Sequence, residues 1–500
     1  MTINMKKNTG ALLGVLLLFS TSCTKDFAEI NTDPTLVTAD IIKPSMLFTS
    51  VLKNSIFDSY NKGIITEYAG YYSNQGSGAI FQNANWANPF NTYYRSYIIN
   101  TAEVVRLTAT DPKLINQHAM GRIWKALLYA QLTDLYGDVP YFEAAQNVAE
   151  VVNQPKYDAQ KDIYTDLLKE LKEASAQLST DVKLTSFGAA DILMGGDVER
   201  WKRFANSLRL RLAMRISYAD PALAKQHVAE VIKEPLVDAN TFNVFLTTID
   251  GANLNNRNPL YDDPLNSYPL WTSFTVAENL KKSNDPRLSI FSLPALDGTS
   301  GYRGRPIGLG PTQITYMEEN TARLQNLFRS AEHSIFVMNA AEVSFLRAEA
   351  ALIGFTSENA QQLFTTGITQ SMTQYSVPQA GLDAFLASAA GTLAGTNEEK
   401  LEQIIVQKFL AMMYQSNEAY AEFRRTGYPR IWTGNASGST NGEIPRRLTY
   451  PLDEYAKNEQ SVRTAAGKLT QGDKYMSRMW WDAKAGLPFH HAKQGMFPPE

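Results

Sequence analysis

The chain has 500 residues, 44% hydrophobic and 19% charged, a globular composition long enough for two or three ordinary domains or one large helical one. With 47 basic and 50 acidic residues its formal net charge is −3, so no basic surplus points to nucleic acid and no long single-sign run points to a disordered tail. Aromatic residues reach 11%, with 24 Tyr; that supply suits a binding surface, although any single Tyr more often sits half-buried with a wet hydroxyl.

At the N-terminus, Lys6 and Lys7 precede an apolar run from Ala11 to Phe19, and Ser20, Thr21 and Ser22 lead into Cys23. A positive segment, a short apolar segment and small residues form the layout of a secretion signal. The run is too short to cross a bilayer as a helix, which takes about 20 apolar residues. No other stretch is long enough, which excludes a polytopic helical membrane protein. Cys23 is the sole cysteine, so an internal disulfide is excluded. It stands where a bacterial lipobox places its acylated thiol, with Ser20 where the commonest form has Leu. Residues 1–22 are expected to be removed, 23–39 to form a lipidated tether, and 40–500 to form a single helical domain. Two acyl chains, at about 0.8 kcal/mol per buried CH2, give stable anchoring.

Helical periodicity then dominates. Met120, Ile123, Trp124, Leu127, Leu128, Leu132 and Leu135 recur at three- and four-residue spacing, and Gly137, Asp138 and Pro140 stop that helix. Ile163, Leu167, Leu171, Ala174 and Leu178 make a second stripe. Asp197 caps a third, whose face carries Val198, Trp201, Ala205, Leu208, Leu212 and Ile216. Its other face holds Arg203, Arg209, Arg211 and Arg215, expected to be solvated or ion-paired. Residues 222–232 form a shorter helix. Further on, Val343 to Leu352 pairs with Asn359 to Tyr375, and Leu401, Ile405, Phe409, Met412 and Tyr420 define another helical segment. The expected fold is all-α: tetratricopeptide-like helix pairs over about 40–235 and 330–425, without a strict repeat of about 34 residues. Three loop-rich excursions, about 71–97, 240–325 and 428–500, interrupt it, and long loops in a compact chain often carry function.

No catalytic motif emerges. There is no His-Glu-x-x-His, no paired-cysteine zinc spacing and no Gly-x-Ser-x-Gly elbow. Gly301-Tyr302-Arg303-Gly304-Arg305 lacks phosphate-loop spacing, and the adjacent His490 and His491 sit in a weakly patterned tail. Asp134, Asp138 and Glu143 cluster at a helix end, where a helix-to-turn lock is favoured over a glycosidase pair. No cofactor is expected, although the oxygen-rich loop with Asp262, Asp263 and Asn266 could take a structural calcium. The informative groups are loop aromatics: Tyr71, Tyr72, Trp86, Tyr93 and Tyr94 in one excursion, and Tyr261, Tyr268, Trp271 and Tyr302 in another. Flat rings beside Asn and Asp suit sugars, whose C–H faces stack while their hydroxyls hydrogen-bond. The same surface would take peptides, and Trp86 or Trp271 could equally anchor its loop on the helices.

Several segments resemble the SusD/RagB family of Bacteroidetes outer-membrane lipoproteins. They are Ile30-Asn31-Thr32-Asp33-Pro34, Leu132-Thr133-Asp134-Leu135-Tyr136-Gly137-Asp138-Val139-Pro140-Tyr141, Ala341 to Ala350 with its Ala348-Glu349-Ala350, Glu422 to Arg430, Pro445 to Pro451 followed by Asn458, and Trp480-Trp481-Asp482. Thr24-Lys25-Asp26 is similar to the short surface-export signal of such lipoproteins. The resemblance implies four tetratricopeptide-like helix pairs, a loop-rich ligand face and a glycan or peptide ligand. It also implies a partner SusC-like TonB-dependent outer-membrane transporter, covered as by a hinged lid. The family offers no catalytic residue, and Asp134, Arg424 and Arg425 are expected to determine fold. The expected protein is a surface-exposed, lipid-anchored nutrient binder and not an enzyme. Its rivals are a surface glycoside hydrolase and a ligand-free helical scaffold.

Overall fold

A computed structural model describes residues 43–60, 63–73, 89–144, 152–251, 254–261, 270–309, 315–434, 440, 442–494 and 496. Cys23 and the calcium candidates Asp262, Asp263 and Asn266 lie outside the described residues. Pro44–Glu500 forms one compact unit. Among the described residues no helix is long and apolar enough to cross a membrane.

The architecture is mainly helical. Helix α1 (Pro44–Tyr60) and the short α2 (Gly63–Tyr68) lead to α3 (Ile99–Thr108), α4 (Ile115–Tyr136), α5 (Gln160–Gln177), α6 (Val198–Arg215) and α7 (Pro221–Val231). From α3 onward each packs on the next, the succession expected of stacked helix pairs. The apolar stripe of α4 is buried throughout, with Met120, Ile123, Trp124, Leu128 and Leu132 at 0–1% exposure. Gly137, at φ +87, ends the helix. At the start of α6 the Asp197 carboxylate accepts the Arg200 N–H at 3.1 Å, as the sequence predicts for an N-cap.

The second half repeats the scheme with α8 (Phe274–Lys282), α9 (Ala340–Leu352), α10 (Ala360–Gln374), α11 (Gln379–Ala387), α12 (Asn397–Ala411) and α13 (Ser416–Thr426). Helix α9 packs against both α10 and α12. Asn359 caps α10, and a reciprocal Thr396–Glu399 capping box opens α12. The expected helix from Leu401 to Tyr420 is in fact two, α12 and α13. The break falls at Tyr414, which adopts a left-handed φ of +69. The excursion expected over 71–97 is helical from Pro89: Pro89–Thr92 runs through a π-helical turn, Tyr93–Ile98, into α3. The irregular 428–500 region contains α14 (Leu452–Lys457) and α15 (Glu459–Lys468).

On the Arg face of α6, Arg203 is partly exposed and pairs with Asp238 at 3.1 Å, but the other three are buried. Arg209, Arg211 and Arg215 are at most 4% exposed. Arg211 holds Glu342 of α9 bidentately at 2.6 and 2.7 Å. Arg215 reaches Glu422 at 2.5 Å and Glu418 at 2.6 Å on α13. Arg425 grips Glu349 at 2.7 Å through two nitrogens and Glu422 at 2.7 and 2.9 Å, and Lys408 of α12 donates to Glu422. These four cations and four carboxylates bolt α6, α9, α12 and α13 together with charge balanced inside the core, the condition under which buried ions are tolerated. Burial alone would raise the Glu422 carboxyl, but Arg425, Lys408 and Arg215 overcome it and hold Glu422 well below the usual range.

Two small sheets complete the fold. In the first the order is β1 (Tyr72–Ser73), β3 (Trp271–Thr272), β5 (Arg323–Leu324), β4 (Ser292–Leu293), with every pairing antiparallel. In the second β2 (Val244–Thr247) pairs antiparallel with β6 (Ser334–Met338).

Candidate ligand-binding face

The first sheet gathers loop ends that are far apart in sequence. Tyr72 and Ser73 pair with Thr272 and Trp271. The Arg305 backbone N–H donates to Thr272 at 3.0 Å, and its carbonyl accepts from Phe274 at 2.7 Å. A further bridge joins Ile307 to Thr433. The Arg305 guanidinium donates to Ser73 Oγ at 2.6 Å and lies over the Trp271 ring, 4.8 Å from its centroid. Gly304 must be glycine here, since a Cβ would come within 2.6 Å of Phe274 Cα and the Ser273 carbonyl. Gly304 therefore serves close backbone approach to the start of α8. Beside the sheet, Phe274 meets Trp432 edge-on at 4.8 Å, His491 stacks on Trp432 at 6.2 Å, and the Lys493 ammonium lies 5.0 and 5.2 Å from the two rings.

The candidate aromatics divide sharply. Tyr71 is fully buried: its hydroxyl donates to the Phe409 and Met412 carbonyls at 3.0 and 2.8 Å, and its ring stacks on Phe409 at 4.5 Å. Tyr72 is buried with its hydroxyl on the Gly63 carbonyl at 3.1 Å. Tyr93 is buried with its hydroxyl on Gln131 at 2.8 Å. Tyr94 is half-buried, held through the Pro140 carbonyl at 2.5 Å. Trp271 is 4% exposed. These rings anchor their segments to the helices and present no open stacking surface. Tyr261, at 45% exposure, and the half-buried Tyr302 are the accessible ones. Arg257 lies 5.5 Å from the Tyr261 centroid. Trp86 and Tyr268 lie outside the described residues.

Pattern reading missed the Phe274–Trp432–His491 cluster, because its members are more than 50 residues apart in sequence and no local spacing links them. The buried indole N–H groups of Trp271 and Trp432 have no hydrogen-bond partner, which leaves two donors at this face without an internal acceptor.

The carboxylates are engaged elsewhere. Asp138 caps the Gln160 N–H at 2.9 Å and meets Lys468 at 3.3 Å. Glu143 accepts from the Lys156 backbone at 3.0 Å, which holds it below its usual range. Asp134 is sealed in the core beside Arg215 and accepts the Tyr164 hydroxyl. Arg215 is already committed to Glu418 and Glu422, so burial wins and lifts the Asp134 carboxyl to about 6. Among the described residues no group of three or more His, Cys, Asp or Glu could hold a metal ion.

Stacked helix pairs with a loop-built face define a helical-repeat scaffold. Residues 35–451 match the SusD-like family described as "Starch-binding associating with outer membrane". The chain belongs to the SusD-like family. Its fold is similar to that of a chitin-binding protein, with 27% identity, 88% of this chain and 100% of that one covered, and a TM-score of 0.78. It is also similar to a chitin-binding SusD homologue from Flavobacterium johnsoniae, at 27% identity, 88% and 98% coverage and a TM-score of 0.74. A SusD homologue from Bacteroides fragilis gives 25% identity, 89% and 100% coverage and a TM-score of 0.75. A search of curated protein sequences returned no match.

Proposed function

We propose that this chain is a cell-surface outer-membrane lipoprotein, anchored through Cys23, that binds a glycan and passes it to a SusC-like TonB-dependent transporter without turning it over. The carrying observation is the family match over 35–451, joined to a full-length fold match with a chitin-binding relative at 27% identity. The face around the first sheet is the binding surface. The accessible rings Tyr302, close in sequence to the Arg305 segment bridged to that sheet, and Tyr261 are the candidate stacking surfaces. Trp86 and Tyr268, outside the described residues, remain candidates. Rings that stack on sugar faces and amide groups that bond hydroxyls suit an oligosaccharide. The open face suits modest affinity, so that the ligand can be handed on.

The test is calorimetric titration of the full chain with chitin oligosaccharides, malto-oligosaccharides and a peptide pool, with analysis of the sugars afterwards. Saturable binding of one glycan, recovered intact, supports the proposal. Shortened products would overturn it in favour of a hydrolase, and binding confined to peptides would change the ligand class. Purification from detergent-solubilised outer membranes tests the partner. A large β-barrel at near-equal abundance supports handover, and recovery of the lipoprotein alone argues against it.

A further inference from the structure

A cavity of about 50 Å3, lined by both polar and apolar side chains, lies within the helical scaffold, remote in sequence from the loop ends of the ligand face. It is bounded by α1, α4, β6 and the segment Tyr414–Glu418, where α12 gives way to α13. This segment carries an unusual density of unpaired polar atoms. The Tyr414 hydroxyl, both amide atoms of Gln415 and Oδ1 of Asn417 are buried and make no hydrogen bond. Tyr414 is 2%, Gln415 8% and Asn417 9% exposed. The orientation of Asn417 is fixed, because its Nδ2 donates to Ser59 at 3.1 Å. Gln415, the residue before α13, makes no side-chain cap to the helix. Buried polar groups left unpaired are costly and rare in native proteins. Four such atoms around one void therefore call for an occupant.

The chemistry of the lining selects that occupant. Gln415 presents an N–H donor and an acceptor, Asn417 presents an acceptor, and Tyr414 can do either. The charged groups at the edge, Arg211 and Glu418, are already paired with Glu342 and Arg215. A cation would face the Gln415 N–H and Arg211. An anion would face the Asn417 oxygen and Glu418. The occupant must be neutral and must both donate and accept. We infer that the cavity is a built hydration site: its volume of about 50 Å3 exceeds the roughly 10–15 Å3 that one ordered water needs. A smaller void of about 20 Å3 shares Gln131, Arg211, Asn417 and Glu418 with it and extends to Asp134, so the hydrated region reaches that buried carboxyl. The waters take the place of a side-chain cap at the start of α13 and tie the left-handed turn at Tyr414 to α1 and α4.

The test is a crystal structure of the full chain at a resolution that shows ordered water, with a second crystal pressurised under xenon. The expected result is a group of discrete peaks within about 2.7–3.2 Å of Tyr414 Oη, the Gln415 amide and Asn417 Oδ1, with no xenon in the cavity. Xenon density there would show a dry, apolar void and overturn the inference. So would side chains closed on one another with no room between them, a single ion with a coordination shell, or the continuous density of an organic solute.

Discussion

The charge cluster between α6, α9, α12 and α13 and the small sheet at the ligand face are both polar, and they are held in opposite ways. In the cluster, Arg211, Arg215, Arg425 and Lys408 meet four carboxylates from two helices, α9 and α13, at hydrogen-bonding distance and little exposure. At the face, strands of two residues and cation–π contacts hold the loop ends, and the Trp271 and Trp432 donors are unmatched. The first region spends its polarity on fixing helices. The second is held by short strands and ring contacts that join loop ends. Removing a group should therefore unfold the first region and alter binding at the second.

The largest effect should come from Arg425→Met. It strands Glu349 in the core, while Glu422 keeps Arg215 and Lys408, and breaking a buried pair from one side costs about 3–5 kcal/mol. Urea denaturation should show that loss. Pairing it with Glu349→Leu should recover much of it, since replacing both partners removes the stranded charge. A loss under about 1 kcal/mol would mean that Glu349 is not stranded by the substitution and that the contrast with the face is false.

Next is Trp271→Ala. An exposed ring there would, on substitution, weaken binding and leave the fold intact. With the ring buried against Arg305, the substitution should destabilise by about 3 kcal/mol and disturb every loop joined by the sheet. Unchanged stability with lost binding would instead restore the exposed-ring expectation.

The helices were legible where their signals are local. The apolar stripe of α4, the Asp197 cap of α6 and the Asn359 boundary of α10 can all be read within a few residues. The break between α12 and α13 was hidden, because apolar spacing runs on through Met412 and the left-handed residue is Tyr414, with no Gly or Pro to mark it. The Arg face of α6 could not be resolved into solvent or ion pairs. Its partners lie 131 and 207 residues away, a distance no periodicity spans. Ring exposure was illegible for the same reason: the hydroxyl of Tyr71 finds its acceptors 338 and 341 residues on. The family, by contrast, was legible, since its motifs are short and occur in order.

A third effect separates the regions by pH. The folded-state value of Asp134, about 6, lies above its ordinary 3.8. Between those values the folded chain binds the proton that the unfolded chain releases. Asp134 therefore destabilises the fold above pH 6 and ceases to do so as pH falls toward 4. The difference in unfolding free energy between wild type and Asp134→Asn should shift toward the wild type by roughly 1–3 kcal/mol from pH 7 to pH 4. Ligand binding at the face should not follow that curve. A flat difference would mean that Arg215 keeps Asp134 charged throughout.

The smallest effect on stability, and the sharpest on function, should come from Tyr261→Ala. The ring is 45% exposed and touches the core little, so unfolding should change by less than about 0.5 kcal/mol. If a sugar stacks there, losing about 0.5–1.5 kcal/mol of aromatic contact weakens binding by about two- to tenfold, read by titration with the glycan that the wild type binds. The Tyr302→Ala variant serves as its neighbour control, and a double variant losing more than either alone would place both rings on one ligand. Intact affinity in all three would leave Trp86 and Tyr268 as the remaining candidates for the contact. The division between a sealed core and an open face would survive, but the described rings would belong to neither the core nor the ligand.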